Sequence, residues 1–270
     1  HTLTGRYNAG RHMKKQDLSQ MGEAHVSIGR FGGEPCIYKK GASNVELDFY
    51  KFAADKLDGV STPKLLDISG NNLVIEYIPH SVTLEELHAS NCVFEQLAAI
   101  HSSNYQPEFL VKNHDWKVCA TDSAMNTLNF PKVTQESIKN IQKLSAELFE
   151  YNSLISGDSN EGNWGIRDNG EFVLFDWERF GRGSPAIDLA PLVKGLGSSS
   201  DYEAIIEKYS RSTSELPSEQ LHRHLILAKV WILVEVTNIL TQRGKSSASM
   251  YFKWFRENVP GWLSSVENAL

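Results

Sequence analysis

The chain has 270 residues, 41% of them hydrophobic and 22% charged, with a formal net charge of −6. This composition suits a soluble globular protein large enough for one big domain or two lobes, and the acidic balance argues against a nucleic-acid partner, which calls for a basic face. The cysteines, Cys36, Cys92 and Cys119, lack metal-ligand spacing and read as small apolar residues of a reducing compartment, so a cytoplasmic location is expected.

The opening His1 to Gln20 is polar and carries no signal-peptide pattern. Met21-Gly22-Glu23 leads into the first predicted strand without a G-x-G-x-x-G motif. Gly22 is therefore either a phosphate-approach glycine or a simple turn residue. His25 to Phe31, Cys36 to Lys40 and Leu73 to Tyr77 read as short strands bounded by Gly32-Gly33 and Gly70-Asn71. Between them, Asn44 to Leu57 places Val45, Phe49, Phe52 and Ala53 at helical spacing, and Ser43-x-x-Glu46 has the form of a capping box.

Ile78-Pro79-His80-Ser81 breaks the pattern and reads as a linker. Thr83-x-x-Glu86 opens another capped helix, Phe94 to His101 continues in helical phase, and a further helix is predicted over Thr134 to Tyr151. Trp164 to Arg167 and Glu171 to Asp176 flank Asp168-Asn169-Gly170, a tight-hairpin turn. From Pro185 onward the pattern is helical. Its most apolar stretch, Leu225 to Leu240, holds Lys229, Glu235 and Asn238, which suits a buried core helix better than a membrane span. No membrane partner is expected. The predicted architecture is α+β: a small antiparallel-sheet lobe over 1–78, then a larger, mainly helical lobe over 79–270 that carries the hairpin.

The chemistry is concentrated in Gly157-Asp158-Ser159-Asn160-Glu161-Gly162-Asn163 and in Phe175-Asp176-Trp177-Glu178. Phosphoryl transfer from a metal nucleotide needs a carboxylate to orient or deprotonate the attacking hydroxyl. It also needs an amide oxygen and a second carboxylate to hold Mg²⁺ against the phosphates. Asp158 fits the first role, and Asn163 and Asp176 the second. Taken singly, Asp158 and Asn163 are equally ordinary turn residues. Asp176 tips the balance, because an Asp closing an apolar strand calls for a cation.

A kinase also needs a lysine on the phosphates, held by a helical glutamate. In Cys36-Ile37-Tyr38-Lys39-Lys40, side chains alternate, so Lys39 shares a face with Ile37, a modest roof for a base, and Lys40 shares one with bulky Tyr38. Lys39 is the better candidate. Glu46 is its expected partner, although the capping box offers Glu46 a purely structural role. Glu76-Tyr77-Ile78 lie where a hinge would offer backbone groups to adenine.

Together these residues resemble the aminoglycoside phosphotransferase and choline kinase superfamily, which has a two-lobed protein-kinase-like fold. The matching segments are Gly157-Asp158 with Asn163, Phe175-Asp176-Trp177-Glu178, Gly183-Ser184-Pro185-Ala186-Ile187-Asp188-Leu189-Ala190, and Leu97-Ala98-Ala99-Ile100-His101. The resemblance implies ATP- and Mg²⁺-dependent phosphorylation of a hydroxyl on a small molecule, an aminoglycoside-, choline- or sugar-like acceptor. It implies Asp158 as catalytic base, Asn163 and Asp176 as metal ligands, Lys39 as the phosphate lysine, and Asp188 as a brace for the catalytic loop. Two departures stand out: Ser156 occupies the place of the family's histidine, and Ser159-Asn160-Glu161 replaces the frequent Leu-His-Pro. The alternative from a different class is a nucleotide-binding pseudokinase or regulatory module without turnover, against which the full set of ligand-type residues speaks. A protein kinase is disfavoured by the lack of an Ala-Pro-Glu signature and the short span from Asp176 to Pro185.

Overall fold

The computed structural model describes residues 24–244 and 246–270, so the Gly22 expectation lies outside the described residues. The chain has an antiparallel-sheet N-terminal lobe and a helical C-terminal region. The first lobe is a four-stranded sheet of order β1-β2-β4-β3, formed by β1 (His25–Phe31), β2 (Glu34–Lys40), β3 (Leu65–Ser69) and β4 (Asn72–Glu76). The strand β3 was not anticipated. It is a short strand at the sheet edge, with side chains only exposed or half-buried and a register shift between Leu65 and Asp67.

The predicted helix from Asn44 is present but not uniform. A regular turn α1 (Asn44–Asp48) runs into a π-helical segment Phe49–Ala53 and a tight turn Ala54–Lys56. Leu47, Phe49, Tyr50 and Ala53 are buried and share the core with Leu73 and Ile75 of β4, which seats the helix against the sheet.

The expected linker is instead partly a strand. β5 (His80–Ser81) pairs antiparallel with β7 (Trp164–Ile166), which pairs in turn with β8 (Phe172–Leu174). The hairpin therefore forms as read, with Ile166 opposite Phe172 and Trp164 opposite Leu174. Both backbone edges of β7 are used, so the crossover between lobes is tied directly to the hairpin.

The helical region begins with α2 (Leu84–Ala89) and α3 (Asn91–His101). Next come α4 (Val118–Leu128), which was not anticipated and ends at left-handed Asn129, α5 (Lys132–Gln142) and α6 (Ala146–Phe149). The single helix expected over Thr134 to Tyr151 is thus two. Leu144 and Ser145 donate to Ile141 and Gln142, i→i−3 bonds that tighten the turn and end the regular helix. A short strand β6 (Ser153–Ile155) then pairs with β9 (Gly181–Gly183). The chain finishes with α7 (Ala186–Leu189), α8 (Ser199–Ser210), α9 (Ser218–Arg243) and α10 (Ala248–Val266). Among the described residues α9 alone is long and apolar enough to cross a membrane, but 78% of its most apolar stretch is buried inside the protein. It is the central helix of the core.

Candidate active site

Strand alternation delivers Lys39 to the inner face of the sheet, paired across β4 with Leu73 and across β1 with Val26, while Lys40 is exposed. Its Nζ lies 2.5 Å from Glu46 Oε1, and Glu46 is buried. Ser43 caps α1 by accepting from the Glu46 N–H at 3.2 Å. The reciprocal half of the box is not made: the Glu46 carboxylate reaches Lys39 and also accepts the Trp177 N–H at 3.1 Å. At Thr83 and Glu86, by contrast, both halves of the box are present. Burial works against the charge on Lys39, but the carboxylates of Asp176, Glu46 and Glu178 outweigh it and hold the ammonium above its ordinary pKa. Burial also pushes the Glu46 carboxyl up, with Lys39 opposing it.

The loop that follows β6 is buried and tightly bonded. Gly157 has φ +80°, and a Cβ there would sit 2.3 Å from the Arg179 carbonyl oxygen, so only glycine lets the two segments close. Asp188 of α7 accepts the N–H of Ser156 and of Gly157, both at 2.9 Å, and receives His101 Nε2 at 2.8 Å. His101 is itself held at Nδ1 by the Tyr209 hydroxyl at 2.8 Å. Asp188 thus clamps the loop from behind. Ser156 Oγ accepts the Asp158 N–H at 3.3 Å, a local brace at the position where the motif resemblance implied a histidine.

Around Asp158, which is 1% exposed, two amides converge. Asn160 Nδ2 donates to Asp158 Oδ1 at 2.6 Å, and Asn163 Nδ2 donates to the Asp158 carbonyl at 2.9 Å.

The hairpin sets Asp176. Phe175 donates to the Asn163 carbonyl at 2.9 Å, so Asp176 comes one position beyond the paired ladder. The strand was expected to run on through Asp176, but β8 stops at Leu174 and Asp176 takes a left-handed conformation with φ 62°. Leaving the ladder frees the residue from strand geometry, and Asp tolerates that backbone region better than most side chains. The next residue, Trp177, stacks on Phe49 at 4.1 Å and 7°. Asp176 Oδ1 comes 3.5 Å from Lys39 Nζ. Lys39, Glu46 and Asp176 are therefore brought together, and Asp158 and Asn163 share the adjoining loop.

At the crossover, the Glu76 N–H donates to the Lys64 carbonyl at 2.9 Å and the Tyr77 N–H to that of Pro35 at 3.4 Å. The Glu76 carboxylate takes a two-pronged contact from Arg167, at 2.8 and 3.0 Å. Arg167 also binds Glu171 at 2.7 Å and the Thr62 carbonyl at 3.0 Å. Glu76 thus fastens the crossover to the hairpin, with Ile78 next in line. This tie was not legible in sequence, nor was the contact of Asn160, which stands out in the sequence only as a departure from the pattern of the family its motifs resemble.

Among the described residues no three His, Cys, Asp or Glu side chains converge as a metal group. One carboxylate and one amide oxygen make an incomplete donor set. Such a set fits Mg²⁺, which keeps waters and takes its remaining ligands from substrate phosphates.

No family model and no curated protein matches the chain. Solved structures do. Choline kinase LicA from Streptococcus pneumoniae is 17% identical, with 90% of this chain and 91% of that chain covered at a TM-score of 0.60. The gentamicin complex of APH(2")-IIa is 15% identical, covering 95% and 94% at 0.63. An ethanolamine kinase from Plasmodium vivax is 12% identical, covering 92% and 81% at 0.61. The resemblance drawn from the motifs therefore holds at the level of fold.

Proposed function

We propose that the chain, which has the fold of these small-molecule phosphotransferases, is an ATP- and Mg²⁺-dependent enzyme that phosphorylates a hydroxyl of a small molecule. The observation that carries this is the meeting of Lys39, Glu46 and Asp176 from separate elements beside the loop holding Asp158 and Asn163. Lys39 steadies the donor's non-transferred phosphates, and Glu46 holds Lys39 in place. Asn163 and Asp176 would hold Mg²⁺, whose charge neutralises that of the phosphates. A nucleotide base is held at the crossover Glu76, Tyr77 and Ile78, with Glu76 contributing through backbone only because Arg167 takes its carboxylate.

Asp158 accepts the proton of the acceptor hydroxyl as its oxygen bonds to the γ-phosphorus. The bond from that phosphorus to the bridging oxygen breaks, and ADP leaves. The boundary between the nucleotide lobe and the acceptor-binding lobe falls near residue 78. A reducing, cytoplasmic setting is supported by the free thiols of Cys36, Cys92 and Cys119.

The test is ATP consumption with Mg²⁺ against aminoglycosides, amino alcohols, nucleosides and sugars, with Asp158→Ala as control. Acceptor-dependent turnover that this substitution abolishes supports the proposal. Nucleotide binding without turnover on the full panel favours the pseudokinase alternative, and absence of nucleotide binding ends both.

A further inference from the structure

We infer that Asn160 is a positioning residue for Asp158: it sets the rotation of the carboxylate that meets the acceptor hydroxyl. The inference deepens the phosphotransferase proposal and rests on it for the role of Asp158.

Asn160 is fully buried in the loop, two positions after Asp158. Its side chain uses both ends in opposite senses. Nδ2 donates to Asp158 Oδ1 at 2.6 Å, and Oδ1 accepts the Gly162 N–H at 2.9 Å. Because a backbone N–H can only donate, Gly162 fixes which end of the amide is oxygen. Nδ2 must then face Asp158. Flipping the amide would set oxygen against carboxylate and NH₂ against N–H, losing both bonds.

The amide is thus locked by the tight turn Glu161–Asn163 that it caps, and that turn also carries Asn163. A single local motif therefore orders the carboxylate and the amide that the reaction needs side by side. The donor is short, directed and uncharged. It holds a buried carboxylate without adding a cation that would compete with the nucleotide's own. Ser156 and Asn163 meet the backbone N–H and carbonyl of Asp158, whereas Asn160 meets the carboxylate itself.

Two substitutions separate the donor from the cap. Asn160→Ser keeps a capping oxygen for the Gly162 N–H but is too short to carry a donor to the Asp158 carboxylate, and Asn160→Ala loses both. Each is expected to lower kcat by about a hundredfold, the cost of a misaligned reacting group, while the KM for ATP and the melting temperature of Asn160→Ser stay close to wild type. Asn160→Ser at wild-type rate would reduce the residue to a cap and overturn the inference. So would a loss in which KM and melting temperature move together with kcat.

The contact also has a readout free of turnover. The Asn160 side-chain amide protons in a ¹⁵N-labelled sample are expected to shift on Asp158→Ala, and unmoved resonances overturn the contact. If the wild-type protein phosphorylates nothing on the acceptor panel, the phosphotransferase proposal falls, and these resonances still decide whether Asn160 grips Asp158.

Discussion

Lys39 and Asp176, separated by 137 positions in the chain, lie 3.5 Å apart across the junction of the two lobes. Glu46 completes the arrangement by holding Lys39 with one carboxylate oxygen and the Trp177 N–H, next to Asp176, with the other. The cation proposed to bind phosphate and the carboxylate proposed to hold metal are thus positioned by the same helix.

Glu46→Gln tests that coupling. The neutral amide still accepts from Trp177 but no longer holds Lys39 by charge. Losing a charged hydrogen bond of about 1.5–3 kcal/mol should raise the nucleotide KM by roughly ten- to a hundredfold. Steady-state kinetics with varied ATP, alongside titration of MgADP, measures it. Unchanged nucleotide affinity would show that Glu46 serves only the loop.

Asp188→Asn should loosen the loop that carries Asp158 and Asn163. A carboxylate there serves the backbone N–H groups of Ser156 and Gly157 and the ring of His101. An amide must turn its NH₂ toward one of these donors. Disrupting a buried charged network of this kind costs about 3–5 kcal/mol, read as a lower midpoint in urea denaturation and accompanied by a fall in kcat.

Gly157→Ala and Gly70→Ala form a matched pair. Both glycines have positive φ, but a Cβ at Gly70 meets nothing within 4 Å whereas one at Gly157 meets the Arg179 carbonyl at 2.3 Å. Gly70→Ala should cost only the left-handed backbone penalty of about 1–2 kcal/mol. Gly157→Ala should cost more and should displace the loop that carries Asp158. Denaturation midpoints and kcat of the two variants, compared side by side, check this.

His114 should make stability sensitive to mild acid. Burial, reinforced by the nearby Arg179 guanidinium, lowers its pKa from 6.5 to about 4. Below pH 6.5 the unfolded chain takes up a proton that the folded protein refuses. Stability is therefore lost as pH falls from about 6.5 to about 4 and this contribution flattens below, for a total on the order of 3 kcal/mol. His224 is lowered in the same direction by burial and adds to the slope. His114→Gln should flatten the decline, as followed by denaturation at a series of pH values.

Much of the architecture was legible because its signals are local. Strand alternation selected Lys39 over Lys40, Asp168-Asn169-Gly170 announced the hairpin, and Thr83-x-x-Glu86 marked a cap that is fully made. The misreadings share a cause as well. Edge strand β3 is short and buries none of its side chains fully. The predicted linker is a strand only because β7 is there to pair with it. Glu46, by contrast, meets Lys39 as expected and leaves the cap of α1 to Ser43 alone.

The sequence by itself determined the chemical inventory: a carboxylate, an amide and a second carboxylate at spacings suited to phosphoryl transfer, and a lysine on the right face of a strand. Residue type and short-range periodicity suffice for that. Only the tertiary structure decided what each group touches. The left-handed turn at Asp176, the Asp188 clamp behind the loop, the Arg167 tie at the crossover and the Asn160 grip on Asp158 all depend on contacts that form only when the chain is packed. Side-chain hydrogen bonds in a buried site are satisfied by whichever donor the fold brings near, and sequence distance carries little information about that choice.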